Sequence, residues 1–162
     1  MNSKPSDIVQ QGFKTLTLEV ACIEQTAKAI GQAGMSKDAE LSQKLKDQLN
    51  EYITKLDAEV HNADKLVDKP SGPISMESLE LTFNAVTHML KVVQEKANVI
   101  KKTKSGPEVK SGMASGNKGF QILLQLLAKV DPIPIHKAKF DQWIATHKDL
   151  SGKLEAALTA EK

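Results

Sequence analysis

Residues 79–100, LELTFNAVTHMLKVVQEKANVI, carry apolar side chains at Leu79, Phe83, Val86, Leu90, Val93, Ala97 and Ile100, in alternating steps of four and three. That spacing follows the turn of an α-helix, so these side chains share one stripe. Residues 9–30, VQQGFKTLTLEVACIEQTAKAI, repeat the rhythm at Val9, Phe13, Leu16, Val20, Ile23, Ala27 and Ile30. Stripes of this length must be covered, because aliphatic surface left in water costs roughly 25 cal/mol per Å². The chain therefore reads as all-α, built from long amphipathic helices that cover one another.

Working outward, a further stripe holds Leu41, Leu45, Leu49, Tyr52, Leu56, Val60, Ala63 and Val67, and Lys69-Pro70-Ser71-Gly72-Pro73 stops it. Ser75 suits the N-cap of the helix that follows, with Glu77 in its first turn. Lys101, Lys102 and Lys104 suit its C-terminal end, as a solvated capping cluster. Ser105 to Gly112, followed by Gly116 and Gly119, is the stretch richest in helix breakers and reads as a mobile connector. Beyond it Phe120, Leu123, Leu124, Leu127 and Val130 make a broad face that Ile122 and Leu126 widen, the pattern of a centrally placed helix. Asp131-Pro132-Ile133-Pro134 forces a reversal before the last helix, which carries Phe140, Trp143, His147, Leu150, Leu154 and Ala157. No strand-like alternation appears. The expectation is one domain, 1–162, forming a five-helix up-and-down bundle with helices near 6–31, 37–68, 76–103, 113–130 and 135–160.

Composition narrows the function classes. The 162 residues are 40% hydrophobic but only 4% aromatic, so the core is mainly Leu, Ile, Val, Ala and Met, side chains that shape apolar cavities more readily than rigid rings. All 22 basic residues are lysine. A chain without the guanidinium fork, at a net charge of +2, is a poor reader of nucleic acid. Cys22 is the single cysteine, excludes an intrachain disulfide, and lies beside the first stripe, where it reads as a small buried hydrophobe. His61, His88, His136 and His147 are scattered without metal-ligand spacing and read as surface or half-buried residues. No metal and no cofactor is expected.

No phosphate loop, His-Glu-x-x-His helix, nucleophile elbow or calcium loop is present, and carboxylate pairs such as Asp57 with Glu59 and Glu77 with Glu80 read as solvated helix faces. The expectation is that the protein is not an enzyme and has no catalytic residue. No run approaches the length of about 18 apolar residues that a transmembrane helix needs. Residues 1–7, MNSKPSD, carry no apolar signal-peptide core.

From Ile8 to Leu158 the order of parts resembles the fungal family of hydrophobic surface binding protein A and the related cell-wall galactomannoproteins. The resemblance rests on the Thr-rich first helix, the segment Pro73-Ile74-Ser75-Met76-Glu77-Ser78-Leu79, and a third helix with Val86, Leu90 and Val93 closing on Lys101-Lys102. It continues through Leu123-Leu124-Gln125-Leu126-Leu127-Ala128-Lys129-Val130-Asp131-Pro132 to a last helix ending in repeated Ala and Leu. It implies a secreted or cell-wall protein that holds a long-chain fatty acid along the bundle axis without catalysis. If the resemblance does not hold, a cytoplasmic protein is expected.

The residues themselves agree in one respect, since helices of such length can enclose an extended acyl chain at about 1.5 Å per residue. A central apolar tunnel would be lined by Phe13, Leu16, Val20, Phe83, Val86, Leu90, Phe120, Leu124 and Leu127, with Thr17, Thr87 or Gln121 offering a hydrogen bond to the ligand's head. The expected partner is a long-chain fatty acid or other apolar small molecule, with a weak homodimer allowed. Two other readings stay open at this point. One is a solid helical adaptor or chaperone-like module binding a partner through an apolar face. The other is an exchangeable lipid-surface protein that resembles apolipophorins.

Overall fold

The computed structural model describes residues 5–67, 74–131 and 133–159, with Pro5 and Ser6 described by backbone alone. The described residues form six helices and no strand: α1 (Pro5–Ala29), α2 (Met35–Asp64), α3 (Met76–Glu95), α4 (Ala97–Ile100), α5 (Gly106–Val130) and α6 (Pro134–Leu158). The expected second helix, 37–68, ends at Asp64 with residues 65–67 in turns, while Asp68, the breaker run after it and residue 160 of the expected last helix lie outside the described residues.

The long helices close into a ring. α1 packs on α2 and α3, α2 also on α5, α5 on α6, and α6 back on α3. Side-chain pairings set the directions. Glu19 meets Lys55 and Gly12 meets Glu59, so α1 and α2 are antiparallel. Gln10 bonds Ser75 and Glu24 faces His88, so α1 and α3 run parallel. Leu49, Tyr52 and Leu56 face Gly112, Gly116 and Gly119 in register, so α2 and α5 are parallel too. Asn117 reaches Glu155 and Gln121 reaches His147, so α5 and α6 are antiparallel. The chain thus alternates direction at each long helix, while its neighbours in space are not always its neighbours in sequence.

Four expectations change. The third helix does not continue to residue 103: Lys96 leaves helical geometry (φ −96°, ψ 1°), and its N–H is shared between the carbonyls of Val92 and Val93. The break redirects the chain, so that α4 packs on α6, α2 and α3 with Ala97 and Ile100 buried. The expected connector 105–112 is helical, and α5 starts at Gly106 rather than near 113. Its glycines are there for contact: a Cβ at Gly112, Gly116 or Gly119 would stand 3.2, 3.1 or 3.3 Å from Leu49, Tyr52 or Leu56. That packing offsets the helix-propensity penalty of about 1 kcal/mol per glycine. Nor is α5 central. It is one member of the ring, with Ile122 exposed. Finally, the count of helices is six where five were expected, because α3 and α4 divide one apolar stripe.

Both ends of the ring are tied. At one, Ser105 Oγ donates to Gln43 Oε1 (3.0 Å) and Gly31 N–H to Asp38 Oδ1 (2.7 Å). At the other, the Asp131 carboxylate accepts from Ile74 N–H (3.3 Å) and Ile133 N–H (2.8 Å) and pairs with His136 Nδ1 (2.8 Å). Ser75 caps α3 by accepting from Ser78 N–H at 3.2 Å, as the sequence suggests. Among the described residues no helix is long and apolar enough to cross a membrane.

Candidate ligand site

Phe13, Leu16 and Val20 on α1, Phe83, Val86 and Leu90 on α3, and Phe120, Leu124 and Leu127 on α5 all belong to one buried apolar cluster. α1 and α3 are neighbours, whereas α5 packs on α2 and α6 and so faces them across the ring. The structure therefore gathers these side chains in the bundle interior. Two polar candidates stand elsewhere. Thr87 is half-buried and donates its hydroxyl to the Asn84 carbonyl of its own helix at 3.0 Å. Gln121 is half-buried in the α5–α6 seam. Thr17 donates to the Phe13 carbonyl (2.7 Å) and lies 2.8 Å from the Thr82 hydroxyl, which is itself buried.

The α5–α6 seam fixes the state of a residue expected at the surface or half-buried. His147 is fully buried, its ring 4.9 Å from that of Phe120. Gln121 Nε2 donates one hydrogen to the Ile144 carbonyl (3.1 Å) and lies 2.7 Å from His147 Nδ1. An amide nitrogen only donates, so Nδ1 accepts and the imidazole proton sits on Nε2. Burial pushes the imidazole pKa down to about 4, which keeps it neutral. Nε2–H has no hydrogen-bond partner among the described residues, and neither does the Tyr52 hydroxyl. Tyr52 is 1% exposed, and burial raises its pKa. The Ser42 hydroxyl is likewise buried without a partner among the described residues. An unmet buried donor costs roughly 1–3 kcal/mol, so the three of them need a physical explanation.

Glu59, expected on a solvated face, is 5% exposed. Its carboxyl occupies the space over Gly12, where a Cβ would fall 1.8 Å from Glu59 Cδ. Burial raises its pKa to about 7, partly countered by the bond from Asn62 Nδ2 to Oε1 (3.3 Å). Cys22 also departs from expectation. It is exposed, on the outer edge of α1 in a cleft shared with Leu41 and Gln48 of α2. Its place beside the stripe, not on it, turns it outward. Among the described residues no lysine is buried, and no group of three or more His, Cys, Asp and Glu side chains is set to hold a metal.

Clefts open between neighbouring helices. One of about 350 Å³ lies between α1 and α3, with buried Phe13 and Thr82 in its lining and exposed Leu18 and Leu81 beside them. Another of about 510 Å³ runs along the α5–α6 turn past Phe140, Ile144, Lys129 and Lys137. Both fall within the usual volume of small-molecule sites, roughly 300–1,000 Å³.

The buried polar groups of Tyr52, Glu59 and His147 were not among the candidates named from sequence. The available signal was a polar-capable residue at core spacing, which Tyr52 and His147 both show.

No family model matches the chain, and no curated protein matches it. Among solved structures, the Aspergillus fumigatus mannoprotein AfMp4p in complex with palmitic acid is similar, with a TM-score of 0.76 and 10% sequence identity over 95% of this chain and 99% of that one. At that identity the likeness shows a shared helical fold, which is the part of the expected family relationship that the comparison supports.

Proposed function

We propose that this protein binds a long-chain fatty acid or similar apolar ligand within its ring of helices, without catalysis. The supporting observation is the coincidence of two things: a fold shared over 95% of the chain with a palmitic acid complex, and apolar side chains from three helices that belong to one buried cluster inside the ring. The acyl chain would lie along the axis against Leu16, Val20, Val86, Leu124 and Leu127. The α1–α3 cleft, which reaches buried Phe13, is the proposed entrance. Met89 and Met113 in the core are flexible enough to yield volume to a guest. Native mass spectrometry of protein incubated with hexadecanoic acid should show a one-to-one adduct. Absence of any adduct at micromolar ligand rejects the reading.

A second reading has its own observation. Leu18 and Leu81 are 70% and 64% exposed on the two walls of the α1–α3 cleft, which suits contact with a lipid surface. Binding to phosphatidylcholine vesicles, abolished by L18S with L81S and with no acyl adduct in solution, favours it over an enclosed site.

A further inference from the structure

Tyr52 and His147 approach α5 from opposite sides of the ring. Tyr52 comes from α2 and rests on Gly116, 3.1 Å from where a Cβ would be. His147 comes from α6 and rests on Phe120, at a centroid distance of 4.9 Å. Gly116 and Phe120 are one helical turn apart, so both side chains bear on the same turn of α5. Each ends in a buried donor without a partner among the described residues: the Tyr52 hydroxyl and His147 Nε2–H. The Nε2–H state follows from the Gln121 amide, which takes up Nδ1 on the far side of the imidazole. With Nδ1 committed to the α5–α6 seam, Nε2–H is left buried and without a partner among the described residues.

We propose that Tyr52 and His147 form the head-group end of the ligand site, donating hydrogen bonds from Tyr52 Oη and His147 Nε2 to the oxygen atoms of a carboxyl head whose chain lies in the aliphatic seam. The proposal rests on the reading of the protein as an apolar-ligand binder and adds the chemical class of the head. Two neutral donors match the two oxygens of a carboxyl group. They do not match a phosphate, which needs several donors or cations, because no described lysine is buried and the chain contains no arginine. The ligand class is therefore a long-chain carboxylic acid, with phosphate-headed lipids excluded. Thr17, Thr87 and Gln121, the polar candidates named from sequence, have their groups engaged by protein partners already.

The test uses the full chain after lipid extraction, with hexadecanoic acid, hexadecane and hexadecyl phosphate as probes. Wild type, Y52F and H147F are compared by competition binding, and wild-type protein labelled with ¹⁵N-histidine is titrated by NMR. The expected result is an affinity for hexadecanoic acid at least tenfold lower in each variant, with hexadecane unaffected. Hexadecyl phosphate should bind wild type at least tenfold more weakly than the acid, and the His147 Nε2 resonance should move as the acid is added. Should H147F not fold, the wild-type NMR titration decides. Binding of hexadecanoic acid with a stationary His147 resonance, or with variants as tight as wild type, overturns the head-group assignment and leaves the binding function standing. Equal affinity for the phosphate overturns the ligand class. No uptake of any probe by wild type overturns both.

Discussion

Tyr52 sits so close to Gly116 that a Cβ added there would stand 3.1 Å from Cε2 and 3.2 Å from Cδ2 of the ring. The contact recurs one turn away on either side, at Gly112 with Leu49 and at Gly119 with Leu56, so the α2–α5 seam is held at a distance only glycine permits.

Overpacking that seam should therefore be costly. G116V is expected to destabilise the protein by about 1–3 kcal/mol, since Tyr52 cannot retreat without disturbing its neighbours. Gly152 supplies the control. It is an exposed helical position on α6 with no atom within 4 Å of an added Cβ, so G152A should stabilise by about 0.5–1 kcal/mol. Urea denaturation of both variants checks the pair. A G116V protein as stable as wild type would contradict the close approach.

Two buried titratable groups should shape stability against pH with opposite signs. Glu59 is raised from 4.5 to about 7, so its contribution is complete below pH 4.5 and lost as pH rises through 7. His147 is lowered from 6.5 to about 4, so its contribution is complete above pH 6.5 and lost as pH falls toward 4. Between those limits the slopes oppose each other and wild type should be nearly flat. E59Q removes the alkaline decline. It should exceed wild type at pH 8 by about 1–2 kcal/mol, after discounting for a seam that touches solvent, and converge with it below pH 4.5. H147Q should lose the acid decline instead. Thermal melts from pH 4 to 8 decide, and parallel curves for all three proteins would refute both assignments.

Cys22 should react in the native state. It is exposed on α1 rather than buried, and its cleft is open to solvent. Maleimide labelling without denaturant is expected to reach one label per chain, at a rate that urea changes little. Labelling that awaits unfolding would return Cys22 to the core.

How much of this was legible differs by element. The stripes of α1, α2 and α3 were, because every apolar step of four or three from Val9 to Ile30 and from Leu79 to Leu90 is buried as expected. The break at Lys96 was not, since Ala97 and Ile100 continue the same stripe on a redirected backbone. Gly112, Gly116 and Gly119 misled, because glycine lowers local helix propensity while their own spacing of four and three marks a contact face. Among the candidates, the burial of the apolar residues was readable and the surroundings of the polar ones were not. Nothing local to Glu59 announces that its carboxyl fills the gap above Gly12, and nothing local to His147 announces Gln121.

Removing one oxygen should separate stability from binding. The Tyr52 hydroxyl is buried without a partner among the described residues, so the folded protein bears its desolvation with no hydrogen bond in return. Y52F keeps the ring on Gly116 and deletes only that oxygen. In lipid-free protein it should raise stability by about 1 kcal/mol, against the usual loss when a bonded tyrosine is truncated. For a chain of this length that corresponds to a Tm increase of about 2–4 °C. With hexadecanoic acid bound the order should reverse, because wild type then gains a hydrogen bond that Y52F lacks and ligand binding raises the stability of the tighter binder more. Calorimetric melts with and without the acid test both halves. A Y52F protein that melts lower than wild type without lipid would mean that the hydroxyl already has a partner, which removes one of the two donors offered to the head group.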